Sequence, residues 1–476
     1  MAEVDVVVVG SGAAGLSAAL AAQEAGATVW VVESEKVVGG ASRLSAGMMM
    51  AAGSEVQAAA GLEDDPADLY REYMLANHFA VKPGLARRIS YESAEAMSWL
   101  IGMGVQFLPD VMQGGGERVP RSHVPQGGGQ HIVDVLHQRC RERKIEIALG
   151  RRVDRLLTRG DAVVGVAVGD DELEAGAVVI ATGGFGANRV LMEKHLPTFA
   201  RFGGDWIFYI GPESSRGDAF ALAEQVGANI VGHDICHPLP SPQVDGSDFD
   251  AFLPSWLLIV GPDGRRVMDE TFPYGYTFGL MYSAGGRVFG LFDAQTRADN
   301  NSPDLPTFKP EYPPGSPMPP HVWSPDSIDR LIESGAIVEA DTPEDVSGML
   351  GLPTAATLGT IKRYNEWAAL GEDRDFGKEG RFLRPIEKPP FYGVEIRPST
   401  IGIMACGLEI DESAHVLNDR SAGVPGLFAA GECTGGVIGP RYIGSGNGIA
   451  QCVVFGRTAG HSAASYALQA VSSPAG

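Results

Sequence analysis

Residues 4–9, VDVVVV, form a short β-branched run suited to a strand buried on both faces. They pass directly into Gly10-Ser11-Gly12-Ala13-Ala14-Gly15, and LSAALAAQEAG then reads as a helix ending in glycine. A second strand, TVWVVES at 28–34, ends on Glu33, eighteen residues after Gly15. Each part has a physical task. Gly10 permits a tight turn, Gly12 lets backbone approach a pyrophosphate, and Gly15 allows helix against strand. The free N–H groups of the helix N-terminus suit phosphates, and Glu33 suits a ribose hydroxyl. With 63 glycines in the chain a lone GxGxxG says little. The strand–loop–helix–strand–Glu order makes it specific for a dinucleotide.

Which dinucleotide follows from three more stretches. GGASRLSAGMMMAAG at 39–53 places glycine and small residues directly after the acidic one, like the second phosphate-contacting loop of FAD proteins. VVIATGGFGAN at 178–188 is a buried strand entering a Gly-rich turn, and VPGLFAAGECTGG at 424–436 is similar to the late strand whose acidic residue, here Glu432, contacts the ribityl chain. Alone, either segment reads as a core strand; with the N-terminus they imply FAD. The loop at 39–53 holds no His, so non-covalent FAD is expected.

Net charge is −22, which argues against a nucleic-acid partner, because phosphate binding needs clustered Lys and Arg. No apolar run reaches the roughly 18 residues a membrane span needs. The start has no signal-peptide pattern. Five scattered cysteines show neither a disulfide framework nor metal-ligand spacing, so a reduced, cytoplasmic protein without a metal is expected.

Because the nucleotide elements lie at 1–53, 178–188 and 424–456, the fold expected is α/β. It is a discontinuous Rossmann-like FAD-binding domain over 1–232 and 400–476, with an α+β catalytic or capping domain inserted at 233–399. SHVPQGGGQHIVDVLHQRCRERKIEI (122–147) reads as loop, helix and strand, with His123 and His131 flanking the loop in supporting roles. SSRGDAFALAEQVGANIVGHD (214–234) reads as a loop entering a helix with Asp218 near its start. Helices are expected at 326–335 and 355–369. Residues 303–325 carry nine prolines and read as irregular.

Taken together these segments, with GPDGRRVMDET (261–271), RYNEW…GEDRDFGK (363–378) and VVFGRTAG (453–460), resemble the FAD-dependent family of fumarate reductases and 3-ketosteroid dehydrogenases. The resemblance implies cofactor contacts from Gly10, Gly12, Ala13, Ala14, Gly15 and Glu33, and from Gly40, Ala41, Ser42 and Gly47. It further implies Val153, Thr182, Gly183 and Asp218, and finally Glu432, Asn447 and Ile449. Fumarate reductases carry paired His, a late Arg and a cap Arg. These fall on Gly402 and Ile403, on Tyr442 and on Tyr274 here, so a dicarboxylate would lose its counter-ions. Tyr442-Ile443-Gly444-Ser445-Gly446, Pro273-Tyr274 and CGLEID (406–411) instead resemble the ketosteroid dehydrogenase branch.

What that branch implies is desaturation of a ring ketone. Tyr442 and the Gly446 N–H would hold the carbonyl, Tyr274 would remove the α proton, and flavin N5 would take the β hydride. The helix after residue 447 would aim its N-terminus at the flavin. Tyr276 and Tyr282 are alternatives to Tyr274, and Ser445 either hydrogen-bonds or simply fits the turn. No Tyr lies between 92 and 208 to assist the base, Arg441 replaces the usual Thr, and both loop prolines are replaced. The substrate is expected to be a 3-ketosteroid or a smaller cyclic ketone such as an oxocyclohexane carboxylate, its carboxylate met by Arg441 or Arg121. The electron acceptor is open among oxygen, quinone and a carrier protein. The rivals are an ene-reductase using the same tyrosines in reverse, and a flavoprotein subunit without catalysis of its own.

Overall fold

Valines 6–8 are fully buried, with parallel strands on both edges and two helices, Ala13–Glu24 and Asn447–Ser472, packed against their strand. The computed structural model describes residues 4–244, 253–299 and 323–472. Most of the proline-rich stretch 303–325 lies outside the described residues; Pro325 itself opens the helix Pro325–Glu333. The first sheet runs, in spatial order, through His415–Leu417, Gly423–Ala429, Asp171–Ile180, Val4–Val9, Val29–Val32 and Glu146–Ala148. A hairpin, Arg155–Arg159 and Ala162–Val168, extends it from Asp171–Ile180. Helix Ala13–Glu24 lies against the sheet and against the long helix Asn447–Ser472. Gly15 makes that approach possible: a Cβ there would sit 2.0 Å from the Gly10 carbonyl oxygen. SHVP, expected as loop, is the strand Ser122–Pro125, because Met49–Met50 and Phe107–Met112 pair with it.

The second sheet is organised by the strand Phe391–Met404. Val288–Asp293, Ile337–Ala340 and Cys236–Ser241 pair with it antiparallel, and Phe208–Tyr209 pairs with it in parallel. Trp256, Phe292, Tyr392 and Trp323 pack on this sheet as a core of its own. The two charged stretches at 261–271 and 363–378 meet in its interior. Arg266 bonds Glu270 and Asp373 at 2.8 Å each, and Lys378 bonds Glu270 at 2.9 Å, with all four side chains nearly or wholly buried. Their charges compensate one another where an unpaired ion would be very costly. These stretches therefore build the cap rather than the site.

The fold is α/β, a Rossmann-like domain carrying a capping domain. Between them a cleft of about 580 Å³ opens at the carboxyl ends of Val4–Val9, Val29–Val32 and Asp171–Ile180. Ligands of open α/β sheets bind at that end. Among the described residues no helix is long and apolar enough to cross a membrane.

Candidate active site

The nucleotide end of the cleft is set by Glu33. One carboxylate oxygen accepts from the Ser11 N–H at 2.8 Å and the Ser11 hydroxyl at 2.6 Å, and the other accepts from the Glu35 N–H at 2.8 Å. The carboxylate is thereby fixed at the mouth of the glycine turn. Helix Ala13–Glu24 has no side chain at its Gly12 N-cap, the Ala13 N–H going to Ser42 Oγ at 3.0 Å, and Thr182 Oγ1 is buried without a hydrogen-bond partner. Both the Ala13 turn and Thr182 line the cleft. A helix N-terminus opened by glycine, an orphaned hydroxyl and a fixed ribose acceptor along one groove fit a dinucleotide.

Gly10, Gly12, Ala13, Ala14, Glu33, Gly40, Ala41, Ser42 and Gly47 all line this cleft, as do Val153, Thr182, Gly183, Asp218, Glu432 and Ile449. The Asp218 carboxylate is paired with Arg152. Glu432 accepts from the Met404 N–H at 3.1 Å, and burial pushes its carboxyl up to about 7. Gly15 and Asn447 do not face the cleft. Gly15 is under the helix, and the Asn447 amide donates to the Gly444 carbonyl at 2.9 Å.

At the far end stands the loop 439–448. Gly446 has φ +103°, and a Cβ there would sit 2.5 Å from the Met50 nitrogen, so only glycine lets the loop turn at this point. Three contacts pin the loop. Met50 N–H donates to the Gly446 carbonyl at 3.1 Å, Gly116 N–H to the Ile443 carbonyl at 3.1 Å, and the Ser122 hydroxyl to the Ser445 carbonyl at 2.6 Å. Tyr442 is buried, and its oxygen accepts from the Gly448 N–H at 3.1 Å. Burial pushes its phenol up to about 12, against the pull of the Gly448, Gly446 and Asn447 N–H groups. The first turn of helix Asn447–Ser472 thus meets the Tyr442 oxygen through the Gly448 N–H. Tyr442 remains a phenol at neutral pH, with its lone pair occupied and its proton available to donate.

Tyr274 faces Tyr442 across the cleft, with ring centroids 6.0 Å apart. It opens the helix Tyr274–Ser283, and its hydroxyl lies 3.1 Å from Ser445 Oγ. Ser445 Oγ is 3.2 Å from the Gly114 carbonyl, which can only accept. With the serine proton on that carbonyl, the Tyr274 phenol donates to Ser445; toward a Tyr274 phenolate the serine proton turns instead. Ser445 is therefore a hydrogen-bonding residue as well as a turn residue. Tyr276 and Tyr282 do not line the cleft, and Tyr282 is about half exposed.

His237 was not singled out by its sequence. It lies on strand Cys236–Ser241, within CHPLPS, where a histidine between apolar residues reads as core. Its ring sits 5.2 Å from the Tyr442 ring and lines the cleft. Burial holds its pKa down to about 4, while a bond to the Gly439 backbone opposes this and the Arg441 charge adds to it. Nε2 is buried without a partner, so the neutral ring presents an acceptor.

The structure does not bring the expected carboxylate partners to the cleft. Asn77 Oδ1 takes the Arg441 backbone N–H at 2.7 Å, and the Arg441 guanidinium donates to the Pro440 carbonyl at 3.1 Å and lies against Gly279. Arg121 is fully buried, bonded to Asp64 at 2.7 Å and Glu72 at 2.6 Å. His123 is held between Ser54 and Met49, and His131 accepts the Gln106 N–H. Gly402 and Ile403 do line the cleft. Arg121→Ala is expected to destabilise the fold by about 3–5 kcal/mol, because it leaves Asp64 buried and unpaired. Denaturant unfolding of the FAD-loaded protein checks this.

Behind Ser445 lies Glu117. Burial pushes its carboxyl up to about 7, against its own and the Gly114 backbone N–H, with Arg121 lowering and Glu72 raising it. The folded pKa exceeds the ordinary 4.5, so the folded state holds the extra proton in that window. Stability therefore falls as pH rises from about 4.5 to about 7. Glu117→Gln is expected to flatten this part of a melting-temperature profile, leaving the slope that Glu432, shifted the same way, contributes.

A family model for the FAD binding domain matches residues 5–449, and the chain belongs to that family. It is an FAD-dependent oxidoreductase acting on CH–CH groups. A fumarate reductase (cytochrome) from Shewanella frigidimarina is 31% identical, over 97% of this chain and 77% of that protein. A urocanate reductase from Eggerthella lenta is 29% identical, over 98% of this chain and 75% of that protein. The crystal structure of 3-ketosteroid-Δ4-(5α)-dehydrogenase from Rhodococcus jostii superposes with a TM-score of 0.80 at 26% identity, covering 97% of this chain and 96% of that one.

Proposed function

We propose that this chain introduces a carbon–carbon double bond beside the carbonyl of a neutral ring ketone. One observation carries the reading. Tyr274, Tyr442, Ser445 and neutral His237 line one end of the cleft, and the one Lys or Arg lining it among the described residues, Arg151, is at the nucleotide end beside Glu33. Such a site cannot compensate two carboxylates but can polarise one carbonyl. Ile210, Leu239, Ile403 and Ile438 supply apolar walls. With Arg441 turned away, the keto acid among the expected substrates is less favoured than an uncharged ketone.

FAD, bound along the cleft from Glu33 to Glu432, supplies the two-electron redox chemistry. Tyr442 donates its proton in a hydrogen bond to the carbonyl oxygen, and the helix N-terminus behind it supports charge developing there. Tyr274, acting as its phenolate, takes the α proton at its oxygen and becomes the phenol, while the Ser445 hydroxyl holds that oxygen in place. His237 Nε2 accepts from a substrate hydroxyl. Apolar walls and the cap exclude water.

The names of the curated relatives favour a second reading, reduction of an unsaturated bond with the same residues in reverse. Anaerobic mixing with ring ketones separates the two. Bleaching of the flavin absorbance with formation of the enone is expected. If no ring ketone bleaches it, while dithionite-reduced enzyme is reoxidised by a cyclic enone, the direction proposed is wrong.

A further inference from the structure

Away from the cleft, three side chains with metal-binding atoms converge. His195 closes the helix Arg189–His195, His233 follows strand Ile230–Val231, and Cys406 precedes strand Gly407–Glu409. His195 Nδ1 lies 3.1 Å from His233 Nδ1, and Cys406 Sγ lies 3.9 Å from the same nitrogen. All three atoms fall within 4.8 Å of one another. A tetrahedral zinc ion with Zn–N of about 2.0–2.1 Å and Zn–S of about 2.3 Å spaces two nitrogens by about 3.4 Å, and nitrogen from sulfur by about 3.6 Å. Those two separations are therefore each within about 0.3 Å of what one ion requires.

The backbone already holds the three carriers together. Asp234 N–H donates to the His195 carbonyl at 2.7 Å, and Ala405 N–H donates to the Ile235 carbonyl at 3.0 Å. Thr198 N–H donates to the Asp234 carboxylate at 2.9 Å, fixing the turn that carries His233. The other ring nitrogen of His195 is buried, without a hydrogen-bond partner, beside the Phe220 ring, so the polar contact of this side chain is made through Nδ1 alone. Cys406 is buried and His233 exposed, so the sulfur lies on the inner side and an approach from solvent on the outer.

We propose that His195, His233 and Cys406 form a binding site for a thiophilic divalent cation of the zinc type, with a fourth position open to water. The place has a consequence for the fold. His233 and Cys406 stand on the two chain segments that leave and re-enter the dinucleotide-binding half, and His195 stands on a helix beside both. An ion there would tie both segments to that helix.

The test uses the full-length, FAD-loaded protein, stripped with a chelator and titrated with zinc chloride in a calorimeter. One zinc per chain is expected, and zinc should raise the melting temperature. Cys406→Ser and His233→Ala should each weaken zinc binding at least about tenfold at unchanged flavin content, and abolish the thermal shift. Because His233 is exposed, its variant separates loss of a ligand from loss of folding. Absence of zinc binding in the unaltered protein, or unchanged affinity in His233→Ala, would overturn the proposal.

Discussion

Tyr442→Phe is expected to lower turnover by about 10²–10³-fold, the usual effect of deleting one donor to a developing oxyanion. The ring stays, so its packing against His237 and Tyr274 stays. What disappears is the hydroxyl proposed to link the helix N-terminus to the substrate carbonyl. The same oxygen accepts the Gly448 N–H, and leaving a buried donor without its acceptor costs about 1–3 kcal/mol. Stability should therefore fall modestly while bound flavin is retained. With the phenol pushed up to about 12, this residue should add no ionisation to the pH–rate profile below about pH 11. Steady-state kinetics at matched flavin content reads the loss, and unchanged turnover would remove Tyr442 from the chemistry.

Tyr274→Phe is expected to lower turnover by about 10²–10⁴-fold, the range for a positioned acid or base. Here the loop behind should not move, because Ser445 keeps its bond to the Gly114 carbonyl. Exchange gives a direct reading. In D₂O the unaltered protein should wash out the α hydrogens of a bound ring ketone, and the Phe variant should not. Exchange persisting in the variant would assign proton removal to another group.

Much of the dinucleotide half was legible because its signals are local. The valine run, the spaced glycines and Glu33 each act on neighbours within about thirty residues, and the strand and helix periods agree with them. The reacting end is different. His237, Tyr274 and Tyr442 come from three distant segments, and nothing near His237 in sequence distinguishes it from a core residue. Arg121 looked available to a substrate because its partners, Asp64 and Glu72, lie about fifty residues away in sequence. Arg441 follows the same logic, since Asn77 and Gly279 fix where it points. The glycine loop was read as a cradle for ligand. The Gly448 N–H also donates to the Tyr442 oxygen, and that depends on where the next helix begins.

A reacting end lined by tyrosine, serine and neutral histidine should discriminate between acceptors by their charge. Reduced, FAD-loaded protein is mixed anaerobically with fumarate and, separately, with a neutral cyclic enone of similar size, and flavin reoxidation is followed by stopped flow. Whichever direction operates in the cell, microscopic reversibility makes the enone the competent partner. Rapid, saturable reoxidation by the enone and none by fumarate are expected. Saturable reoxidation by fumarate at a comparable rate would contradict this.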